Sequence, residues 1–235
     1  MKKIINIYIN QDILKLIAIL TMTLDHIGYI LNPTFEPLRL IGRLSFPIFV
    51  FLLIFNLHQK VRFEKYLKRL FAFAIITSLI LGPFKYIFNN ILPLNIFWTL
   101  LLGMLAIYGL EKTSSDFKDR KIRLFVNIYI LLVCATLSIL TDYGFYGFLY
   151  ILSFYGWYKS KNLIFVATSI VLGFLINTDI SVPACIISAT TSLIFLFPIT
   201  RSKKATRFLR PWWLFYAYYP LHLAVIYAIK FYYQL

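Results

Sequence analysis

The sequence predicts an all-α fold: a polytopic transmembrane helical bundle of about nine spans, with its amino terminus in the cytoplasm. Three observations predict it: an apolar composition, apolar runs of membrane-spanning length, and basic residues confined to alternate connections. The chain has 235 residues, of which 60% are hydrophobic and 14% charged, with a mean hydropathy of +0.78. A soluble domain is nearer half apolar and about a quarter charged, because it must cover its surface with polar groups. The composition therefore favours a protein surrounded by lipid.

Apolar runs long enough to cross hydrocarbon recur from one end of the chain to the other. About 17–25 apolar residues in a helix cross the roughly 30 Å core of a bilayer. The predicted spans lie near residues 13–31, 38–57, 70–88, 94–110, 123–141, 144–158, 162–177, 181–198 and 212–230. Because the connections are short, residues 1–235 are interpreted as a single membrane domain. The first run contains Asp25 and His26 and lacks a small-residue cleavage site, so we interpret it as a retained span rather than a signal peptide.

The excess of basic residues is unevenly distributed along the chain. The formal net charge is +15. Lysine and arginine occupy the amino terminus and every second connection, near residues 2–3, 60–69, 112–123, 159–161 and 201–210. The alternate connections, near residues 32–37, 89–94, 141–143 and 177–180, contain neither. This is the positive-inside pattern, which places the basic connections on the cytoplasmic side of the cell membrane. It explains the charge without nucleic acid, which we do not expect as a partner.

Several ionisable side chains fall at membrane depth, where a charge near the bilayer centre costs about 2.5–3.5 kcal/mol. They are Asp25, His26, Arg39, Arg43, Lys85, Asp142 and His222. With an alternating topology, all of them lie between the midplane and the outer surface. One polar cavity shared by five spans explains this distribution better than five unrelated defects.

Such a cavity suits proton transfer, because histidine titrates near neutrality and a carboxylate can orient it. Asp25 and His26 are sequence neighbours, so they point about 100 degrees apart on a helix. Another span can therefore orient His26. An arginine in the cavity can hold an anionic substrate or stabilise an anionic intermediate. A purely structural arrangement stays open, in which Asp25 pairs with Arg43 and the histidines bond backbone carbonyls.

Other polar residues are interpreted as structural. Lys15, Arg39 and Lys85 lie closer to span ends, where long side chains extend towards the interface. Cys134 and Cys185 lie in mid-span without metal-ligand spacing, so we assign them to packing and expect no metal. Hydrolase, zinc-protease and nucleotide-fold interpretations lack support, because GxSxG, HExxH, P-loop and GxGxxG motifs are missing from the sequence.

A series of sequence blocks carries a resemblance to a known family. Asp-His-Ile-Gly begins at Asp25, Arg-Leu-Ile-Gly-Arg-Leu-Ser-Phe-Pro at Arg39, and Tyr-Pro-Leu-His at Tyr219. The further matching positions are Leu14, Lys15, Thr23, Tyr66 to Arg69, Asn95, Thr99 to Gly103, Asp142 to Gly144, Gly147, Phe215 and Tyr216. Together these blocks extend over about residues 14–223 and resemble the TraX family, named for a protein that acetylates the amino terminus of conjugative pilin.

The resemblance implies a membrane acyltransferase that moves an acetyl group from cytoplasmic acetyl-CoA to an acceptor across the bilayer. It implies an exported peptide, a pilin amino terminus or an envelope polymer as acceptor. His26 becomes the expected base or transient acetyl acceptor, and Arg43 the expected stabiliser of the oxyanion. Asp142 or His222 would complete the proton path, and Asp25 belongs to the same site.

The coenzyme is expected to approach from the cytoplasm, where basic connections can attract its phosphates. The candidate contacts are Arg62, Lys68, Arg69, Arg207 and Arg210. Two other function classes stay open. Intramembrane Arg, Asp and His also serve transporters of small anions or proton-coupled solutes, although no inverted repeat is visible. A non-catalytic membrane partner of an exported peptide is the third class.

Overall fold

The computed structural model describes residues 9–57, 63–87, 94–197, 199–200 and 212–233. Within these residues the regular structure is helical, apart from a parallel pair of two-residue strands, β1 (Ile9–Asn10) and β2 (Ile199–Thr200). The helices are α1 (Gln11–Ile30), α2 (Glu36–Gly42), α3 (Ser45–Leu57), α4 (Phe63–Ile87), α5 (Ile96–Asp116), α6 (Arg120–Ser138), α7 (Gly144–Ser160), α8 (Leu163–Leu175), α9 (Val182–Thr191), a 3₁₀ helix (Ser192–Leu196) and α10 (Trp212–Tyr233). The predicted helical class is confirmed.

Each predicted span coincides with a helix or with two consecutive helices. Within the described residues, six helical segments are long and apolar enough to cross a membrane by length and composition: Gln11–Ile30, Glu36–Leu57, Phe63–Phe84, Ile96–Asp116, Arg120–Ser138 and Trp213–Tyr233. Two further apolar helical segments, Leu163–Leu175 and Val182–Ile194, are shorter. A helix much below about 17 residues does not by its length alone cross the hydrocarbon core. The count of about nine spans and the cytoplasmic amino terminus therefore stay predictions.

The starts of several helices are fixed by short polar side chains that cap exposed backbone N–H groups. Asn10 accepts from the N–H of Asp12 at 2.8 Å and so begins α1. Asn95 accepts from the N–H of Phe97 at 3.1 Å at the start of α5. Asp119 does the same for α6, with its side chain 2.7 Å from the N–H of Lys121. These residues satisfy donors that the helix itself leaves without partners.

The predicted span near 38–57 is two helices rather than one. Helix α2 ends at Gly42, and α3 begins at Ser45. Pro47 lies in the first turn of α3, where its missing N–H costs nothing, but it cannot bond the carbonyl of Arg43 as a continuous helix requires. The chain therefore starts a new helix, and Arg43 lies at the junction as the residue that caps α2.

The described helices group into two compact units, which are described separately; the prediction of a single domain stays a prediction. The first comprises residues 1–55 and 166–235. In it α1 packs against α2 and α10. Glycines allow the close approach of α1 and α2: a Cβ on Gly28 would lie 2.8 Å from Leu38 Cβ, and one on Gly42 would lie 2.6 Å from Asp25 Cγ. The α1–α2 contact therefore depends on these two small residues.

The second unit comprises residues 56–165, in which α5 packs against α4, α6 and α7. Small residues again bring helices together, since a Cβ on Gly103 would lie 2.7 Å from Ile151 Cδ1 of α7. Cys134 is a free, buried cysteine in a cluster with Leu102 and Phe148. Cys185, in the first unit, is also free and buried. The assignment of both cysteines to packing is confirmed.

Candidate functional site

The first unit brings three of the predicted spans together around the carboxyl-terminal half of α1. Asp25 and His26 point to different partners, as their helical spacing requires. Asp25 contacts Arg43 at the end of α2, and His26 contacts His222 of α10. His26 thus has a hydrogen-bond partner on another helix, and its assignment to a functional site stays a prediction.

Asp25 is a buried carboxylate shared by two arginines. Its Oδ1 accepts from Nη2 of Arg43 and lies 3.2 Å from Nη1 of Arg39. Only 9% of the Asp25 side chain is exposed. Burying a carboxylate is costly unless the charge is paired, so the two guanidinium groups account for its presence at this depth. Arg39 was predicted to extend towards the interface; the structure pairs it with Asp25 instead.

Arg43 links three parts of the first unit through its guanidinium group. Besides the bond to Asp25, Nη1 donates to Oδ1 of Asn177 at 3.1 Å, and Nε donates to the carbonyl of Arg39 at 3.2 Å. Asn177 is buried after α8, and its Nδ2 donates to the carbonyl of Gly173 at 3.1 Å. The α2–α3 junction is thereby tied to α1 and to the turn that follows α8.

The carbonyl oxygen of Tyr218 determines which of the two histidines, His26 or His222, donates in the hydrogen bond between them. His222 Nδ1 lies 2.8 Å from the carbonyl oxygen of Tyr218, which can only accept, so His222 Nδ1 carries the proton. In neutral His222 the lone pair is then on Nε2, which lies 2.8 Å from His26 Nδ1. His26 Nδ1 therefore donates to His222, and the lone pair of neutral His26 is on Nε2.

His26 Nε2 is the basic atom that this arrangement leaves available. Among the residues that the structure describes, it has no hydrogen-bond partner. His26 is half-buried, whereas His222 is 8% exposed. The pair can thus act as a relay. His26, the more exposed histidine, takes a proton at Nε2, and part of the positive charge passes through its Nδ1–H to His222, the inner histidine.

Aromatic rings hold the inner histidine in place. Tyr218 stacks on His222 with ring centroids 5.0 Å apart and planes 12° apart, and Tyr219 meets it edge-on at 5.7 Å. Thr23 donates its hydroxyl proton to the carbonyl of Ile19, so its oxygen accepts from the Tyr218 hydroxyl at 2.8 Å. This bond ties α10 to α1 beside the histidine pair.

Asp142 lies in the second unit, in the turn before α7, where its backbone N–H donates to the carbonyl of Leu94 at 2.7 Å. The side chain of Lys85 lies outside the described part of the structure. Lys15 pairs with Asp12 at 3.2 Å near the start of α1, where both side chains are partly buried.

Two of the predicted coenzyme contacts lie on α4. Lys68 is exposed and Arg69 is half-buried near the amino-terminal end of that helix. Arg62, Arg207 and Arg210 lie outside the described residues. All five assignments stay predictions.

Sequence reasoning missed the residues that support the charged groups. Asn177 gave one usable signal, since it is a polar residue at the end of a predicted span. Tyr218 and Thr23 gave weaker signals, because an aromatic near a span end and a hydroxyl in a helix are both common in membrane proteins. No group of three or more His, Cys, Asp or Glu side chains suited to a metal occurs within the described ranges.

Comparisons with known proteins identify the family. The chain is 27% identical over 244 residues to the probable fimbrial assembly protein FimC, serogroup H1, of Dichelobacter nodosus, covering 94% of this chain and 96% of that protein. It is 29% identical over 135 residues to the uncharacterized protein RP591 of Rickettsia prowazekii, covering 57% of this chain and about half of that relative. No solved structure matches significantly. The family model described as "TraX protein" matches residues 10–230, and the chain therefore belongs to the TraX family.

Proposed function

We propose that this protein is a membrane acetyltransferase that uses cytoplasmic acetyl-CoA, with His26 at the reacting atoms. The observation that carries the proposal is the availability of His26 Nε2, whose lone pair follows from the bond that His26 Nδ1 donates to His222. A general base must present such a lone pair to the proton that it removes. Family membership supports the reaction class, and the hydrogen-bond direction supports the residue.

In a direct transfer, the acceptor nitrogen attacks the thioester carbonyl carbon of acetyl-CoA. The new N–C bond forms, the C–S bond breaks, and coenzyme A leaves as its thiolate. His26 Nε2 takes the proton from the acceptor amine and returns it to the thiolate sulfur, so His26 ends the cycle neutral. The same nitrogen can instead carry the acetyl group transiently before the acceptor attacks.

His222 stabilises the protonated form of His26. When Nε2 of His26 gains a proton, Nδ1–H of His26 can shift towards Nε2 of His222, whose own Nδ1–H is already bonded to the Tyr218 carbonyl. The positive charge is then shared over two rings rather than held on one. Desolvated positive charge is expensive at membrane depth, so sharing it lowers the barrier to proton removal.

Asp25 and Arg43 act mainly through position. Arg43 donates to Asp25 and to Asn177 and thereby holds the α2–α3 junction against α1. Its charge still favours a developing oxyanion. We retain Asp142 as a proposed member of the proton path.

The acceptor class rests on a relative. FimC of Dichelobacter nodosus is named as a probable fimbrial assembly protein, which supports an exported pilin or peptide amino terminus as the acceptor here. The donor would bind from the cytoplasm, where Arg62, Lys68, Arg69, Arg207 and Arg210 are proposed to attract its phosphates.

The test uses the full-length protein in lipid nanodiscs and a matched set of histidine variants. Binding of acetyl-CoA is measured by calorimetry, and transfer by following radiolabelled acetyl groups from acetyl-CoA into the envelope fraction of intact membranes. We expect His26→Ala to bind acetyl-CoA like the wild type and to lose transfer. His58→Ala, which changes the one histidine outside the pair, should leave transfer unchanged.

A folded His26→Ala protein with normal transfer would refute the assignment of His26. The buried arginines also suit an anion transporter. Flux of a small anion into proteoliposomes by wild-type protein, without acetyl-CoA binding, would replace the proposal with transport.

A further inference from the structure

Helices α8 and α9 form a closely packed hairpin. The two helices approach each other at small residues, since a Cβ on Gly173 of α8 would lie 3.1 Å from the carbonyl oxygen of Ser188 of α9. In the 3₁₀ helix that continues α9, the Ser192 hydroxyl lies 3.2 Å from the carbonyl oxygen of Ser169. Small side chains allow helix backbones to come this close in a membrane. We call residues 176–181, which join the two helices, the tip of the hairpin.

Each arm of this hairpin is shorter than a bilayer span. Helix α8 has 13 residues, and α9 has 10, followed by the five residues of the 3₁₀ helix. From the rise per residue of the two helix types, the arms are about 20 and 25 Å long. The hydrocarbon core is about 30 Å thick, which the 20 residues of α1 match. The arms are therefore roughly 5–10 Å shorter than the hydrocarbon core.

The base of the hairpin lies beside the start of α1. Ile199, three residues after the 3₁₀ helix, pairs with Ile9, two residues before α1, in the β1–β2 pair. Ile194 of the 3₁₀ helix packs against the hydrophobic cluster that contains Leu14 of α1. The hairpin and α1 therefore begin at the same level.

The tip of the hairpin is held short of the far end of α1. Asn177, in the tip, is 1% exposed, and its Oδ1 accepts from Nη1 of Arg43. Nη2 of Arg43 donates to Asp25. Helix α1 continues for five residues past Asp25, to Ile30, which adds about 8 Å of helix. Buried hydrogen bonds thus fix the tip near the level of Asp25, below the end of α1.

Polar residues of the tip are exposed at this depth. Thr178 and Asp179 are both exposed. A carboxylate exposed to hydrocarbon is costly, and non-helical backbone at membrane depth is tolerated only where protein buries it or where it lines a water-filled cavity. Lysine and arginine flank the hairpin at residues 159–161 and 201–210, so the charge pattern predicts a cytoplasmic base and an outward-pointing tip. Water must therefore reach the tip from the outer side.

We propose that α8 and α9 form a re-entrant hairpin, which enters and leaves the membrane on the cytoplasmic side and leaves a water-filled recess between its tip and the outer surface. The predicted spans near 162–177 and 181–198 are then two arms of one re-entrant element rather than two crossings. The recess admits water and hydrophilic molecules to the depth of Asp25. That an acceptor uses this route towards His26, the next residue, rests on the proposed acetyl transfer; the re-entrant hairpin does not.

The experiment measures the labelling of single cysteines in the full-length protein in right-side-out membrane vesicles. The background contains Cys134→Ala and Cys185→Ala, which remove two buried thiols. Asp179→Cys places a thiol at the tip, Thr34→Cys in the exposed connection after α1, and Leu20→Cys midway along α1 at a position that is 62% exposed. Each variant is treated from outside with a small charged methanethiosulfonate or with a bulky polyethylene-glycol maleimide. Neither reagent crosses the membrane.

We expect the small reagent to label Asp179→Cys at least tenfold faster than Leu20→Cys. The bulky maleimide should label Asp179→Cys at least tenfold more slowly than Thr34→Cys, because it cannot enter the recess. Thr178→Cys, at the neighbouring tip position, should behave in the same way, so a folding defect in one variant does not decide the result.

Three results would overturn the proposal. Equal labelling of Asp179→Cys and Thr34→Cys by the bulky maleimide would place the tip at the outer surface and make α8 and α9 two crossings. Labelling of Asp179→Cys by the small reagent no faster than that of Leu20→Cys would exclude the water-filled recess. Labelling of Asp179→Cys in inside-out vesicles alone would exclude an opening on the outer side.

Discussion

Replacing Asp25 with Ala removes the carboxylate that two arginines share, and the structure gives the size of the expected loss. Asp25 Oδ1 contacts Nη2 of Arg43 and lies 3.2 Å from Nη1 of Arg39, with all three side chains largely buried. A hydrogen bond to a charged group contributes about 1.5–3 kcal/mol, and removal of one partner from a buried ion pair costs about 3–5 kcal/mol. We therefore expect Asp25→Ala to lower the free energy of unfolding by about 3–5 kcal/mol.

A double-mutant cycle isolates the contribution of Arg43 to this loss. Arg43→Met removes the charge while keeping a long apolar side chain, so Asp25→Ala with Arg43→Met should recover about 1–3 kcal/mol relative to the sum of the single changes. The assay is reversible unfolding of the detergent-solubilised protein in SDS, followed by circular dichroism. Asp12→Ala is the matched control on the same helix, since its pair with Lys15 has the same 3.2 Å separation nearer the helix start. It should cost no more than about 1 kcal/mol.

Two results would refute this reasoning. If Asp25→Ala is no more destabilising than Asp12→Ala, the Asp25 contacts do not hold α1 against α2. If the Asp25 and Arg43 changes are additive, the two side chains do not interact energetically in the folded protein.

The remaining predictions concern two residues: Gly42, which makes room for Asp25, and His222, the inner histidine. Gly42→Ala should destabilise the protein by about 1–3 kcal/mol, because the added Cβ would lie 2.6 Å from Asp25 Cγ. Unfolding in SDS measures this change. A variant as stable as the wild type would contradict the close packing of Gly42 against Asp25. His222→Phe should keep the ring stack on Tyr218 but remove the acceptor for His26 Nδ1–H, so transfer should fall about 100-fold or more with acetyl-CoA binding unchanged. Full transfer in His222→Phe would exclude the relay.

The sequence alone predicted the helical class, and that prediction is confirmed because lipid imposes strong rules: about 20 apolar residues make a span, and a charge inside one needs a reason. It also singled out Asp25, His26, Arg43, Asp142 and His222 as members of one site, which stays a prediction. Within the first unit, the structure brings Asp25 against Arg43 and His26 against His222. The break between α2 and α3 was missed, although Pro47 signalled it, because a proline in an apolar run is also compatible with a continuous, kinked helix.

The sequence determined which residues carry a free-energy penalty inside a membrane, because that penalty depends on residue type and depth. Only the tertiary structure decided which partners offset the penalty for each charged side chain. Partner choice depends on helix rotation and approach, which Gly28 and Gly42 set through contacts far apart in the sequence. The fold pairs Arg39 as well as Arg43 with Asp25, and it directs His222 through the Tyr218 carbonyl so that His26 keeps its lone pair on Nε2. The direction of the hydrogen bond between His26 and His222 depends on donors and acceptors that the fold brings together, and the spacing of these two residues along the chain does not specify it.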